Sequence, residues 1–221
     1  HLGIHISYSV QSTPDGLAQA FLIGAEFLNM SPVALILGDN LFHGHDFVPK
    51  LLATKESQSS ATVFAYPVRD AKRYGVVEFA SDGRVLSIEE KPLKPKSRYA
   101  ITGLYFYDET VVEKAQKVKP SIRGELEITD LNVSYLVDKK LDFHKFGRGF
   151  TWFDTGTHDS LIDAGQFIRT IEKRQGLKIS CLEEIAWRKG WINDKELEKI
   201  SFSLQKSSYG KYLIDLLKNK N

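Results

Sequence analysis

At 221 residues, with 42% apolar and 26% charged side chains, the chain has room for one large domain with a substantial core, and its composition fits a globular protein rather than a disordered or membrane one. A net charge of +2 gives no footing for nucleic acid or an anionic membrane as partner, although Lys and Arg grow denser from Lys173 onward. One cysteine, Cys181, excludes an intramolecular disulfide and a cysteine-built zinc site and suits a reducing cytoplasm, and no run approaches the ~20 apolar residues of a membrane span.

The chain opens HLGIHISYSVQ, and its single methionine is Met30, which reads as an internal start: a fragment, a processed chain or a truncated one. Residues 4–10 alternate as a short strand, and Gln11-Ser12-Thr13-Pro14-Asp15-Gly16 is a turn cluster rich in helix-start residues. Leu17, Phe21, Gly24 and Leu28 then share one helical face, closed by residues 29–32. Residues 33–40, VALILGDN, read as a strand buried on both faces that carries Asp39 to its carboxyl end, where open α/β sheets bind ligands. An Asp in that position equally caps a helix or makes a turn. Residues 46–56 form an amphipathic helical pattern with Phe47, Val48, Leu51 and Leu52 inward, and 61–66 a β-rich run. This alternation predicts a layered sheet with helices on both faces.

From Tyr74 the pattern becomes two short alternating runs joined by Ser-Asp-Gly-Arg, a hairpin signal, followed by a loop with Pro92, Pro95 and three lysines. A strand over 99–107, a helix over 108–118 and a helix over 129–137 with Thr129 as its cap come next. Strands over 141–146 and 150–154 follow, the latter ending on a second carboxylate, Asp154. After Gly156 the pattern is helical. Leu161, Ala164, Ile168 and Ile171 share a face, Gly176 stops that helix, residues 183–189 match the helix dipole, and 194–200 and 209–218 complete a helical tail. The expected organisation is an α/β core over 1–156 and a helical region over 157–221 that serves packing and an oligomer or regulatory surface.

Four clusters carry chemistry. Asp39 and Asp154 can hold one Mg2+, a hard cation that takes one or two carboxylates and leaves its other positions to water and phosphate; as a turn former before Thr155-Gly156, Asp154 is equally ordinary. In Glu90-Lys91-Pro92, Glu can bind sugar hydroxyls and Lys can neutralise a phosphate, while Pro92 fixes the backbone; an adjacent Glu and Lys are also commonplace surface residues. Gln11 and Gly16 flank a helix start, where an amide can read a pyrimidine edge and a missing side chain admits a base, or where a turn is merely capped. Arg73-Tyr74-Gly75 opens a strand with a close-approach glycine beside an aromatic able to pack on a sugar ring. His5, His43, His45, His144 and His158 lack metal-ligand spacing, Cys181 reads as structural, and Trp152, Trp187 and Trp191 read most economically as core.

Taken together, YSVQSTPDGLAQAFLIGAEFL, ALILGDNLFHGHD, ATVFAYPVRDAKRYGVVEF, SIEEKPLKPKSRYAITGLYFYD, RGELEITDLN and GRGFTWFDTGTHDSLIDA resemble the glucose-1-phosphate thymidylyltransferase family, in the family's order and over essentially the whole chain. The resemblance implies a Rossmann-like mixed sheet flanked by helices with a helical C-terminal tail. It implies an enzyme that transfers thymidylyl from dTTP to glucose 1-phosphate with Mg2+, at the first step of dTDP-rhamnose or deoxysugar synthesis. Position by position, it implies that Gln11 and Gly16 bind the thymine end, that Asp39 and Asp154 ligate Mg2+, and that Gly75, Glu90, Lys91 and Ile101 contact the sugar phosphate. The family usually has Val at Ile101. Leu17, Asn40, Tyr74 and Trp152 join the expected substrate-binding set, and Asp39, Lys91 and Asp154 the catalytic one. A cytoplasmic homotetramer inhibited by dTDP-rhamnose is also implied, with neither nucleic acid nor membrane as partner. Tyr209, Lys211 and Tyr212 in the tail read equally as helix packing and solvated charge.

One departure stands out. The family's Gly-rich triphosphate loop, of the form G-G-x-G-T-R-L followed by Pro and Lys, is not in this sequence, so the chain alone is expected to be weakly active or inactive. The alternatives are a non-catalytic nucleotide-sugar binding or assembly protein, which the missing loop favours, and a nucleotidyltransferase using UTP or CTP. A glycosyltransferase fits less well, since such enzymes place two nearby aspartates after the central strand and here Asp39 is followed by Asn40.

Overall fold

In the computed structural model, which describes residues 2–56 and 61–219, residues 4–10 form no strand. Ile4, Ile6, Tyr8 and Val10 are all exposed, and no ladder partner lies beside them among the described residues. Alternation yields a strand only where a neighbouring edge accepts its N–H and C=O groups. The helix predicted after Gly16 is two short pieces, α1 (Gln19–Ile23) and α2 (Ala25–Leu28), parted at Gly24, the residue that weakens a helix interior most after proline. Asn29, left-handed at φ 44°, ends α2.

The following elements are β1 (Val33–Ile36), β2 (Asn40–His43), α3 (Phe47–Glu56), β3 (Ala61–Pro67), β4 (Gly75–Phe79), β5 (Val85–Glu90), β6 (Tyr99–Tyr107), α4 (Val111–Lys117), α5 (Ile128–Val137), β7 (Leu141–Lys145) and β8 (Thr151–Asp154). Five strands run in the order β5-β4-β6-β3-β7, and β1 also pairs with β6. The β3–β7 pair is parallel and the others antiparallel, so the sheet is mixed and flanked by helices, as the resemblance implies. Period-two alternation sorts its side chains into two layers. Val63, Ile101, Tyr105 and Tyr107 pack with Phe21, Ala115, Leu131 and Tyr135 from α1, α4 and α5. Phe64 and Leu104 point the other way, onto Phe42, Phe47, Leu51 and Phe150. On α3 it is therefore Phe47 and Leu51 that turn inward, whereas Val48 and Leu52, also expected inside, are exposed.

The strand expected to be buried on both faces is not. β1 alternates between half-buried and exposed residues, with Ile36 exposed, so one of its faces is left uncovered; among the described strands it pairs with β6 alone. That pairing creates the feature that positions the site. β3 follows one edge of β6, while the other edge is shared by β1, along Leu104 to Tyr107, and β4, along Tyr99 and Ala100. Where those two strands part, opposite Ile101 to Gly103, the sheet opens into a crevice, the place where open sheets take ligands.

The chain divides into two compact units, one comprising Ser9–Ala164 and the other His1–Tyr8 with Gly165–Asn221. α6 (His158–Gln175) starts in the first and finishes in the second, stopped at left-handed Gly176. Of its expected apolar face, Ala164 is buried and Ile168 and Ile171 half-buried, but Leu161 is exposed. The smaller unit adds α7 (Leu182–Arg188), α8 (Asp194–Ser203) and α9 (Ser208–Lys218) around Cys181, Ala186, Ile192, Leu197 and Leu213. Asn193 and Glu196 form a capping box at the start of α8. Trp191, expected in the core, is exposed; Trp187 packs against this cluster as a half-buried residue.

Candidate active site

The element missing from the sequence reading is β2. Asn40–His43 pairs antiparallel with Thr151–Asp154 as a two-stranded ribbon, and its register sets Asn40 opposite Asp154. Asp39 therefore stands beside the strand end that carries Asp154. The Thr155 backbone N–H and hydroxyl both donate to the Asp39 carbonyl, at 2.9 and 2.7 Å. A Cβ on Gly156 would meet Asp154 Oδ1 at 3.1 Å and Asp39 Oδ2 at 3.7 Å, so both carboxylates converge on one small volume. Among the described residues no group of three or more His, Cys, Asp and Glu side chains gathers as a metal cage. The donor set at Asp39 and Asp154 is two hard oxygen ligands, which fits an ion that keeps water and phosphate in its remaining positions.

Asn40 ties this corner to the sheet. Its Oδ1 accepts from the Gly103 N–H at 2.9 Å and from Trp152 Nε1 at 2.6 Å, while its Nδ2 donates to Asp39 Oδ1 at 2.7 Å. Gly103 is required here: a Cβ would sit 2.6 Å from the Asn40 amide. Trp152 is buried, as a core residue should be, yet it also lines the crevice, with its ring 5.2 Å from that of Tyr74. Burial pushes the Tyr74 hydroxyl above its usual pKa, and the nearby Asp154 carboxylate adds to the rise.

The opposite wall comes from the β4–β5 hairpin, whose register pairs Gly75 with Glu90. Lys91 follows in a left-handed conformation, φ 42°, with its N–H on the Tyr74 carbonyl at 3.0 Å. That backbone is unusual for lysine, and doubly so before Pro92, which disfavours helical conformations in the residue ahead of it. Thr129, read from sequence as a helix cap, instead donates its hydroxyl to Glu90 Oε2; α5 begins at Ile128 with Glu127 as N-cap residue and no side-chain cap. A Cβ at Gly75 would come within 2.8 Å of that hydroxyl. Burial raises the Glu90 pKa. Its Oε1 lies 3.9 Å from Lys91 Nζ and 3.6 Å from an Arg123 nitrogen.

These residues enclose a cavity of about 190 Å³. Of the residues singled out from sequence, Asp39, Asn40, Tyr74, Gly75 and Glu90 line it, as do Leu17, Lys91, Ile101, Trp152 and Asp154. Gln11 and Gly16 do not. Gln11 Nε2 donates to the Gly16 carbonyl at 3.2 Å and to Gln19 Oε1 at 2.5 Å, and Gly16, at φ 103°, lies against the Leu126 backbone, which leaves no room for a Cβ. Arg73, Tyr105 and Thr129 also line the cavity, beyond the site residues expected from sequence. Arg73 belongs to the Arg73-Tyr74-Gly75 motif visible in sequence, whereas nothing local distinguishes Thr129 from an ordinary cap.

Comparison with known proteins places this geometry in context. A family model described as nucleotidyl transferase matches residues 1–171. The chain is 55% identical over 216 residues to the glucose-1-phosphate thymidylyltransferase of Neisseria meningitidis, covering 98% of this chain and 75% of the relative. It is 52% identical over 217 residues to that of Mycobacterium tuberculosis, again covering 75% of the relative. Among solved structures it resembles a Bacillus anthracis protein described as a glucose-1-phosphate thymidylyltransferase in complex with sucrose, with TM-score 0.66 and 39% identity over 74% of this chain and 65% of that one. A UDP-glucose pyrophosphorylase complexed with UDP-glucose is similar at TM-score 0.64 and 25% identity, over 74% of this chain and 66% of that one.

Proposed function

The chain belongs to the nucleotidyl transferase family, alongside the glucose-1-phosphate thymidylyltransferases, and from that premise we propose that it transfers a thymidylyl group from dTTP to glucose 1-phosphate, giving dTDP-glucose and pyrophosphate. The observation that carries the reading is the convergence of Asp39 and Asp154 on one side of a crevice whose other side presents Glu90 and Lys91.

A phosphate oxygen of glucose 1-phosphate attacks the α-phosphorus of dTTP, and pyrophosphate departs in line from the far side. Two anions must meet, so catalysis is chiefly positioning and charge neutralisation. Asp39 and Asp154 are the residues that would hold Mg2+, which when bound offsets charge on phosphate oxygens. Asn40 holds Asp39 in orientation through a direct hydrogen bond, and Tyr74 lines the cavity beside Asp154. Lys91 is the cation for the sugar phosphate, and Glu90 with the Gly75 backbone takes the sugar hydroxyls. Ile101 and Leu17 supply apolar walls, and Trp152 closes the crevice against water. The acceptor phosphate is already largely ionised near neutral pH, so no strong general base is required. For Gln11 and Gly16 the proposed role at the thymine end rests on the family resemblance, since both lie outside the cavity lining.

The same reading includes a cytoplasmic homotetramer inhibited by dTDP-rhamnose, with an α/β catalytic region over 1–156 and a regulatory or assembly surface over 157–221. The test is pyrophosphate release by the full-length protein with glucose 1-phosphate and Mg2+, with dTTP and UTP supplied in separate assays and in competition. dTDP-glucose formed with preference for dTTP is expected. Preference for UTP would reassign the nucleotide, and no product with either would overturn the transfer. Light scattering and inhibition by dTDP-rhamnose test the assembly and its control.

A further inference from the structure

Behind Glu90 lies a charge network that the transfer itself does not use. The Arg123 guanidinium grips Glu127 through Nη2 to both carboxylate oxygens, at 2.8 and 2.9 Å, and through Nε at 3.2 Å. Glu127 is buried and also accepts from Ser121 Oγ at 2.7 Å. The same Arg123 Nη2 is 3.6 Å from Glu90 Oε1 and 3.4 Å from Glu125 Oε2, so one guanidinium faces three carboxylates. Neither Arg123 nor Glu127 lines the cavity; Arg123 reaches its wall at Glu90.

We propose that Arg123 and Glu127 are positioning residues that set the charge and placement of Glu90, and with them the pH range over which the site accepts sugar hydroxyls. The proposal rests on the reading of Glu90 as the sugar-binding carboxylate. The fork of Arg123 matches the Glu127 carboxylate, which fixes the cation at the edge of Glu90's reach instead of in full contact. Glu127 thus acts in two ways with the same sign: its own charge opposes ionisation of Glu90, and it withholds the cation that would favour it.

The groups facing Glu90 come from every neighbouring element: Thr129 and Glu127 from the start of α5, Arg123 from the preceding turn, Lys91 from the hairpin end and Tyr105 from β6. Burial and Glu127 raise its pKa, whereas the Thr129 hydrogen bond, Lys91 and Arg123 lower it. The balance leaves Glu90 above the ordinary glutamate range. Protonated Glu90 loses acceptor capacity for sugar hydroxyls, so glucose 1-phosphate binding should weaken as pH falls through its titration.

The experiment measures the Kd of glucose 1-phosphate by calorimetry on the full-length protein between about pH 4 and 8, for wild type, Arg123→Gln, Glu127→Gln and Arg123→Lys, with a 13C carboxyl titration of Glu90 in the ligand-free protein beside it. Because the ligand is common to all four, its own titration cancels. Arg123→Gln should move the midpoint up and Glu127→Gln should move it down, each by about one pH unit, and Arg123→Lys should restore most of the wild-type value. Opposite shifts are not what a general loss of structure produces. Midpoints that stay put, or that move together, overturn the proposal. Glu127→Gln keeps the shape and an acceptor for Ser121, so its shift alone decides the matter if Arg123→Gln does not fold. A wild-type protein that fails to bind glucose 1-phosphate would sink the sugar-site reading, while the 13C titration would still judge the network.

Discussion

The two units handle polar side chains in opposite ways. In the helical unit they are satisfied close to home: Asn193 and Glu196 cap α8, Ser207 caps α9, Lys178 neutralises Glu172 a few residues away, and Tyr209 and Tyr212 donate to Glu183 and Glu184 across the bundle. In the sheet unit Asp39, Asn40, Glu90, Thr129 and Asp154, drawn from separate elements, are brought together where two strands diverge from β6. Local pairing stabilises the helices, whereas convergence leaves carboxylates facing a crevice. A site that binds anions through a cation needs the second arrangement, and the first explains why many charged residues in the tail require no ligand.

The contrast can be broken most forcefully at Asp154. Replacement by Asn in the full-length protein should lower kcat by about 10²- to 10³-fold, the range for losing one electrostatic stabiliser of a transition state, with thermal unfolding nearly unchanged. A large loss of stability instead would mean that the residue serves the ribbon rather than the reaction. Next is Gly103→Ala. The added methyl meets the Asn40 amide, so the Mg2+ concentration for half-maximal activity should rise about tenfold, because positioning partners of metal ligands carry effects of that size. Differential scanning calorimetry beside the Mg2+ titration would separate this from unfolding.

On the helical side, Asn193→Ala should cost about 1 kcal/mol of stability and leave activity alone, since it removes the cap that accepts the Glu196 N–H. The smallest and sharpest pair is Glu90→Gln against Glu172→Gln. Burial raises the Glu90 pKa, so the folded state binds more protons than the unfolded one between the ordinary and the native value, and stability falls as pH rises through that window. Glu90→Gln should therefore be more stable than wild type at neutral pH, with the gain gone below about pH 4, while sugar binding is lost. Lys178 lowers the Glu172 pKa, which places that stabilisation above the unfolded value and removes it as pH falls. Glu172→Gln should lose up to about 1 kcal/mol at neutral pH and nothing in acid. Melting curves at the two pH extremes read both signs.

How much of this was legible follows the same division. The helices of the tail, the β4–β5 hairpin and the long strand β6 were readable because each is declared by its own neighbours: Gly176, the acidic-to-basic order of α7, the Asp-Gly turn, a nine-residue run rich in aromatic and β-branched residues. β2 was not, since a four-residue run acquires strand character only from a partner more than a hundred residues on in the sequence. For the same reason VALI read as a doubly buried strand when, among the described strands, it pairs with β6 alone, and Thr129 read as a cap when its hydroxyl belongs to Glu90. The pairing of Asp39 with Asp154 was suggested by two carboxylates at strand ends and took its weight from the family resemblance, since their spacing alone decides nothing. Residues 4–10 show the converse error, a strand pattern with no ladder partner among the described residues.

Lys91 constrains what substitution can reach at its position. Its left-handed backbone suits Gly, Asn or Asp better than any long side chain, yet none of those three carries an ammonium. A library randomised there should split along two axes: Gly and Asn enriched when selected for folding, Lys alone enriched when selected for turnover. Arg, with the right charge but a forked, bulkier head, should fall between. The position is thus a small, local case of stability and activity pulling one residue in different directions.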